Sequence, residues 1–323
     1  MTLHARSWRT AALVALGLVL AHAGCSSDDD RDKRVRQEET EEDEAADTDR
    51  LGGPPLPRPA PVEDVAAPND DDEARKLVYL VSKDEQLYSF DPRKPGRAAY
   101  KLVGKLQCKT YATPQSMAVD RSGWAWVFYD SRELFKVNVR DASCMPAMPY
   151  THPSGNPQLG MGFTAVSPGS SQEQLYVLSP AFGLATISTQ SLNVSRTGKL
   201  TGGAELTGGG DGRLFHYAAW QRQLSEIDLG DFSLKPVHTF KSLQNVNAWA
   251  FARYAGRFYV FTSNGFGPSK TTEFDPKTQI ESVRDEDIGI IVVGAGQSTL
   301  APPPDTSGDI SGDFPPPSNT GQN

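Results

Sequence analysis

Three carboxylates make the best case for chemistry in this chain: Asp120, Glu205 and Asp211. Glycoside hydrolysis needs two carboxyl groups converging on one bond, one to protonate the leaving oxygen and one to attack or to activate water. Asp120 and Asp211 sit in equivalent settings, Met117-Ala-Val-Asp-Arg-Ser-Gly123 and Leu206-Thr-Gly-Gly-Gly-Asp-Gly212. Asp shortly before Gly is turn chemistry, so both read first as turn formers. Glu205 is free of that explanation and is the one candidate to face an interior funnel. No HExxH, GxSxG, Walker or CxxC motif occurs. The run Gly208–Gly212 has the composition of a phosphate cradle, but it lies between strand-like segments, whereas a phosphate loop opens a helix. His152, His216 and His238 are dispersed, so no metal or cofactor is expected. No catalytic residue is assigned.

The cysteines carry a different chemistry. Arg6 and Arg9 precede an apolar run, Ala11–Ala21, which is too short to span a bilayer and has the length of an export signal. Ala23-Gly24-Cys25 follows, and this resembles the lipobox of bacterial lipoproteins, with His22 where Leu is usual. The resemblance implies cleavage after residue 24, acylation of Cys25 and a membrane as partner through that lipid. Ser26 rather than Asp after the cysteine implies an outer-membrane lipoprotein, periplasmic or surface-exposed. An exported chain with two further cysteines most often pairs them, so a Cys108–Cys144 disulfide is predicted.

Charge divides the chain. Residues 26–75 hold 18 acidic and 7 basic side chains, whereas residues 76–300 hold 19 and 23. The net −8 therefore belongs to one segment, and the rest is near neutral. That balance alone speaks neither for nor against nucleic acid, and none is expected as a partner. Residues 25–75 are a charge run followed by a Pro-rich run without apolar periodicity, and read as a disordered tether reaching on the order of 40 Å. Residues 301–323 read as a disordered Pro-rich tail.

Between these segments a repeat recurs. Five aromatic-rich runs, Leu77–Ser82, Trp124–Tyr129, Gln174–Ser179, Arg213–Ala218 and Arg257–Thr262, are each followed by a second short run. The second runs end at residues 91, 138, 188, 228 and 275, 40 to 50 residues apart. An inner run and a turn precede several units, and an outer run follows four of them: Lys101–Leu106, Met145–Tyr150, Val194–Leu200 and Leu234–Phe240. Four short strands per repeat of this length make a propeller blade. The first unit lacks an inner strand, and the unpaired run Ile288–Gly296 at the far end can supply it. The predicted fold is all-β: a five-bladed β-propeller over residues 76–300, closed by a C-terminal strand.

Residues 76–300 resemble bacterial propellers of the NHL and YVTN-like kind. Phe251–Thr262 and the closing Val-Val-Gly-Ala-Gly-Gln-Ser-Thr run (292–299) resemble secreted propeller lipoproteins. The resemblance implies fold and location and carries no reaction with it. Trp220, Tyr254 and Phe266 are candidates for a binding face, because propeller loops carry function. Packing between blades is the competing reading of these aromatics. The expectation is an envelope-anchored, non-enzymatic binding or scaffold module for a protein or glycan. The alternative is a hydrolase or lyase acting on polysaccharide.

Overall fold

The computed structural model describes residues 72–304 apart from 153–154 and 244–245. The export segment, Cys25, the tether up to residue 71 and the tail beyond Pro304 lie outside the described residues. Five antiparallel sheets form the blades of a propeller. Blade one contains β1 (Val78–Ser82), β2 (Gln86–Phe90) and β3 (Tyr100–Lys105). Blade two contains β4 (Pro114–Val119), β5 (Trp124–Tyr129) and β6 (Leu134–Asn138). Blade three is β7 (Gly160–Ala165), β8 (Glu173–Ser179), β9 (Gly183–Ile187) and β10 (Val194–Arg196). Blade four is β11 (Glu205–Thr207), β12 (Leu214–Ala218), β13 (Gln223–Ile227) and β14 (Leu234–Thr239). Blade five is β15 (Ala248–Tyr254), β16 (Arg257–Ser263), β17 (Lys270–Asp275) and β18 (Ile280–Asp285). The last strand, β19 (Val292–Gln297), joins blade one and pairs with β1 from Val78↔Gln297 to Ser82↔Val292. The last described strand thus completes the first blade.

The aromatic runs are continuous rather than alternating because both sheet faces are buried. Along β1, Val78 and Leu80 pack against Ala250, Tyr259 and Phe261 of blade five. Tyr79 and Val81, on the opposite face, pack against Met117 and Val127 of blade two. Five such clusters occur, one between each pair of neighbouring blades, the fifth-to-first pair included. Each buried Phe or Val contributes roughly 1.5–3 kcal/mol. The inner turns end on Gly123, Gly212 and Gly256, all with φ between +74° and +83°, where a side chain would be strained.

Blade two departs from the expected pattern. Met145–Tyr150 does not form a fourth strand, and the sheet has three. Pro146 and Pro149 cannot donate to a ladder. The segment keeps a bridge at Val137↔Cys144 and hydrogen bonds from the Met145 and Met148 amides to the carbonyls of Lys136 and Leu134, both at 2.9 Å. A disulfide fastens it: Cys144 is bonded to Cys108 beyond the outer strand of blade one, with Cα atoms 4.9 Å apart.

Ordered packing extends slightly beyond 76–300 at both ends. Asp72 caps a short 3₁₀ turn, Glu73–Lys76. The buried Arg75 guanidinium in that turn donates to the Arg121 carbonyl at 3.0 Å. Ser298 donates to the Arg75 carbonyl, and the Ala255 amide donates to the Pro302 carbonyl at 3.0 Å. Both ends of the described chain therefore leave from one side of the ring, here termed the tail face, which also carries the inner turns.

Candidate functional site

The inner strands run around the axis in the order β19, β4, β7, β11, β15. Glycine makes the ring tight. A Cβ on Gly160 would lie 1.8 Å from the Ala204 carbonyl oxygen, and one on Gly296 would lie 2.9 Å from the Ala118 Cα. Side chains then reach across the axis between strands that are not neighbours. Ser116 on β4 donates to Glu205 Oε2 on β11 at 3.0 Å. Gln297 on β19 donates from Nε2 to Thr207 Oγ1 on β11 at 2.8 Å and to the Gly208 carbonyl at 2.6 Å. The Arg253 amide on β15 completes this set, donating to Gln297 Oε1 at 3.3 Å. These crossings fill the axis.

On the tail face, below the crossings, the space between Gly208–Asp211, Arg253 and Ala301–Pro304 is about 10 Å³, room for one water at most. On the opposite face, termed the mouth, a cavity of about 690 Å³ opens. Every blade contributes to it: Lys83 from blade one, Gln115 and Asp130 from two, Gln158 from three, Glu205 and Trp220 from four, Asn247 and Trp249 from five. The molecule thus presents a funnel open at one end. Trp220 is 72% exposed and meets Trp249 edge-on, with ring centroids 6.0 Å apart. Tyr111 and Phe266 are also exposed. They sit on the same face, next to the cavity-lining Thr113 and Gly265.

The three sequence-selected carboxylates are separated. Glu205 lies at the mouth end of β11 and lines the cavity. It is buried with no basic partner among the described residues, and burial pushes its pKa up to about 8. Asp120 belongs to the tail-face turn of blade two. It accepts from the Trp126 indole at 2.8 Å and from the Ser122 and Trp124 amides at 3.0 Å. Burial raises its pKa, and those donors oppose the rise. Asp211 holds the corresponding turn of blade four and forms an ion pair with the buried Arg253 at 2.7 Å. The carboxyl nearest to a partner for Glu205 on the cavity wall is Asp130, which accepts from the Thr113 amide at 3.0 Å.

Of the three aromatics proposed for a binding face, Trp220 and Phe266 are exposed. Tyr254 is only 4% exposed and packs between blades five and one. It follows an alternation that puts Ala250, Ala252 and Tyr254 on one buried face of β15, so it is removed from the candidates. Sequence reasoning missed Ser116, Thr207 and Gln297, whose partners lie 89 to 90 residues away. It also missed Trp249 and the amides of Gln115, Gln158 and Asn247 on the cavity wall. The histidines are apart: His152 contacts Phe128 and Phe182, His216 is buried on β12, and His238 stacks on Phe274. Among the described residues no group of three His, Cys, Asp or Glu could hold a metal ion. No protein-family model matches the chain, and no curated protein sequence matches it.

Proposed function

We propose that this protein is a non-enzymatic binding module of the cell envelope that takes a glycan in the mouth funnel. The lipid on Cys25 would hold it to a membrane, as an outer-membrane lipoprotein facing the periplasm or the exterior. The observation that carries the reading is the funnel wall itself. Two contacting tryptophans share the cavity wall with amide side chains from three blades. Sugar rings stack their C–H faces on indoles, and their hydroxyls pair with side-chain amides that both donate and accept.

A binding role is favoured over hydrolysis because Asp120 and Asp211 are committed to turns away from the cavity. The test is tryptophan fluorescence of the mature protein, titrated with cellotetraose, maltotetraose and N-acetylated chitotetraose. Saturable quenching by at least one sugar is expected, with affinity lost about tenfold or more in Trp220→Ala. Absence of a response to all three, or robust turnover of any of them, overturns the reading.

A further inference from the structure

We propose that Glu205 determines specificity at the funnel floor, by donating a hydrogen bond from a neutral carboxyl to an oxygen acceptor of an uncharged ligand. The inference rests on the binding reading above and names the ligand class that this site accepts: a hydroxyl- or amide-bearing sugar without charge at the tip that reaches the floor.

Glu205 is only 5% exposed, yet it lines the cavity. Among the described residues its side chain receives one hydrogen bond, from Ser116, and forms no ion pair. The elements packed against β11 bring no compensating charge. Strands β4 and β7 carry no titratable side chain. On β15, Arg253 is occupied by Asp211 at the tail face, and Tyr254 packs away towards blade one. On β12, His216 is buried and held neutral, its pKa pushed down to about 4 by burial, and Tyr217 stays a phenol. On β8, Tyr176 is likewise a phenol, and Glu173 is bonded to Arg121 and Thr299 at the tail face. On the cavity wall the remaining charges are Lys83 and Asp130, one of each sign.

A carboxyl in such a place keeps its proton, because ionising it strips a charge of solvent with no cation to replace the water. The burial-raised pKa of about 8 agrees. Ser116 pairs with Oε2, whereas Oε1 has no hydrogen-bond partner among the described residues and Glu205 lines the cavity, so an O–H on that oxygen is available to a ligand there. A ligand oxygen that takes the place of water at that donor keeps its hydrogen bond, whereas a ligand group that cannot accept leaves it unpaired. An ionised Glu205 would present two acceptors and no donor, so the same ligand would meet an unpaired charge.

The experiment measures affinity for cellotetraose, maltotetraose and N-acetylated chitotetraose at pH 6, 7 and 9.5. It uses the mature wild type, Glu205→Gln, and Trp220→Ala in parallel. Because only the protonated fraction is competent, wild-type affinity should fall about 30-fold between pH 7 and 9.5, while Glu205→Gln stays flat. Wild-type binding that is flat, or that rises with pH, overturns the inference and leaves the glycan reading intact. If none of the three sugars binds at any pH, the glycan reading fails. A second measurement needs no ligand: carboxyl-labelled glutamate NMR of the free protein, with the Glu205 signal assigned by its absence in Glu205→Gln. Titration above pH 7 supports the donor role, and titration near the ordinary glutamate value overturns it.

Discussion

Replacing Glu205 by Gln should make the protein more stable in alkali and change little in mild acid. Gln keeps the shape, still accepts from Ser116 and can never ionise. In the wild type the folded carboxyl titrates at about 8, against 4.5 for an ordinary glutamate. A carboxyl raised on folding contributes stability that is fully present below its unfolded value and is lost as pH rises towards the folded one. Each pH unit in that window removes about 1.4 kcal/mol, so the whole window is worth roughly 3–5 kcal/mol. Urea unfolding of both proteins at pH 5, 7 and 9 reads this directly. The two should lie within about 1 kcal/mol of each other at pH 5, and the variant should lead by about 3 kcal/mol or more at pH 9. Glu173, whose burial raises its pKa to about 7, gives both proteins a further slope of the same sign. That slope cancels in the difference. Parallel curves from pH 5 to 9 would refute the reasoning, because they would mean that Glu205 ionises as freely folded as unfolded.

Four other variants have expected outcomes of the same kind. Cys108→Ser should lower unfolding free energy by about 4 kcal/mol, from loop closure over a separation of 36 residues; reduction of the wild type should shift its denaturation midpoint equally. Gly160→Ala, whose new Cβ would meet the Ala204 carbonyl oxygen at 1.8 Å, should cost more than about 3 kcal/mol or prevent folding. Gly267→Ala, whose nearest neighbour is 3.9 Å away, should stay within about 0.5 kcal/mol of wild type by thermal melting. Cys25→Ser should move the protein from the membrane to the soluble fraction and abolish labelling by radioactive palmitate.

The elements that the sequence displayed most openly are those buried on both faces. Runs such as Trp124–Tyr129 and Phe258–Phe261 are apolar throughout because neighbouring blades cover each side. The closing strand was visible for the same reason, as an apolar run left without a partner. The elements that escaped notice lack that signature. Strand β7 reads Gly-Met-Gly-Phe-Thr-Ala, since Gly160 and Gly162 must admit the backbone of β11. Strand β18 is an exposed edge, and its charged Glu281, Arg284 and Asp285 look like a loop. Blade two's outer segment looked apolar enough for a strand, and its two prolines decided otherwise.

The candidate site was less legible than the fold. The turn role of Asp120 and Asp211 followed from local composition, because an Asx turn is a local event. The axial contacts of Ser116, Thr207 and Gln297 follow from ring closure, which brings together strands far apart in the chain. Trp249 showed only as one more aromatic in a strand. What makes it part of a site is Trp220, which stands on the adjacent blade and reaches it only in the assembled ring.

The central claim is that ligand enters by the mouth funnel and by no other surface. Hydrogen exchange of the mature protein with and without N-acetylated chitotetraose tests it most directly. The account predicts new protection confined to the mouth segments 83–85, 113–115, 156–159, 220–222 and 247–249. Protection centred on the tail-face turns 120–123 and 208–212, or on the outer strands β3, β14 and β18, would contradict it.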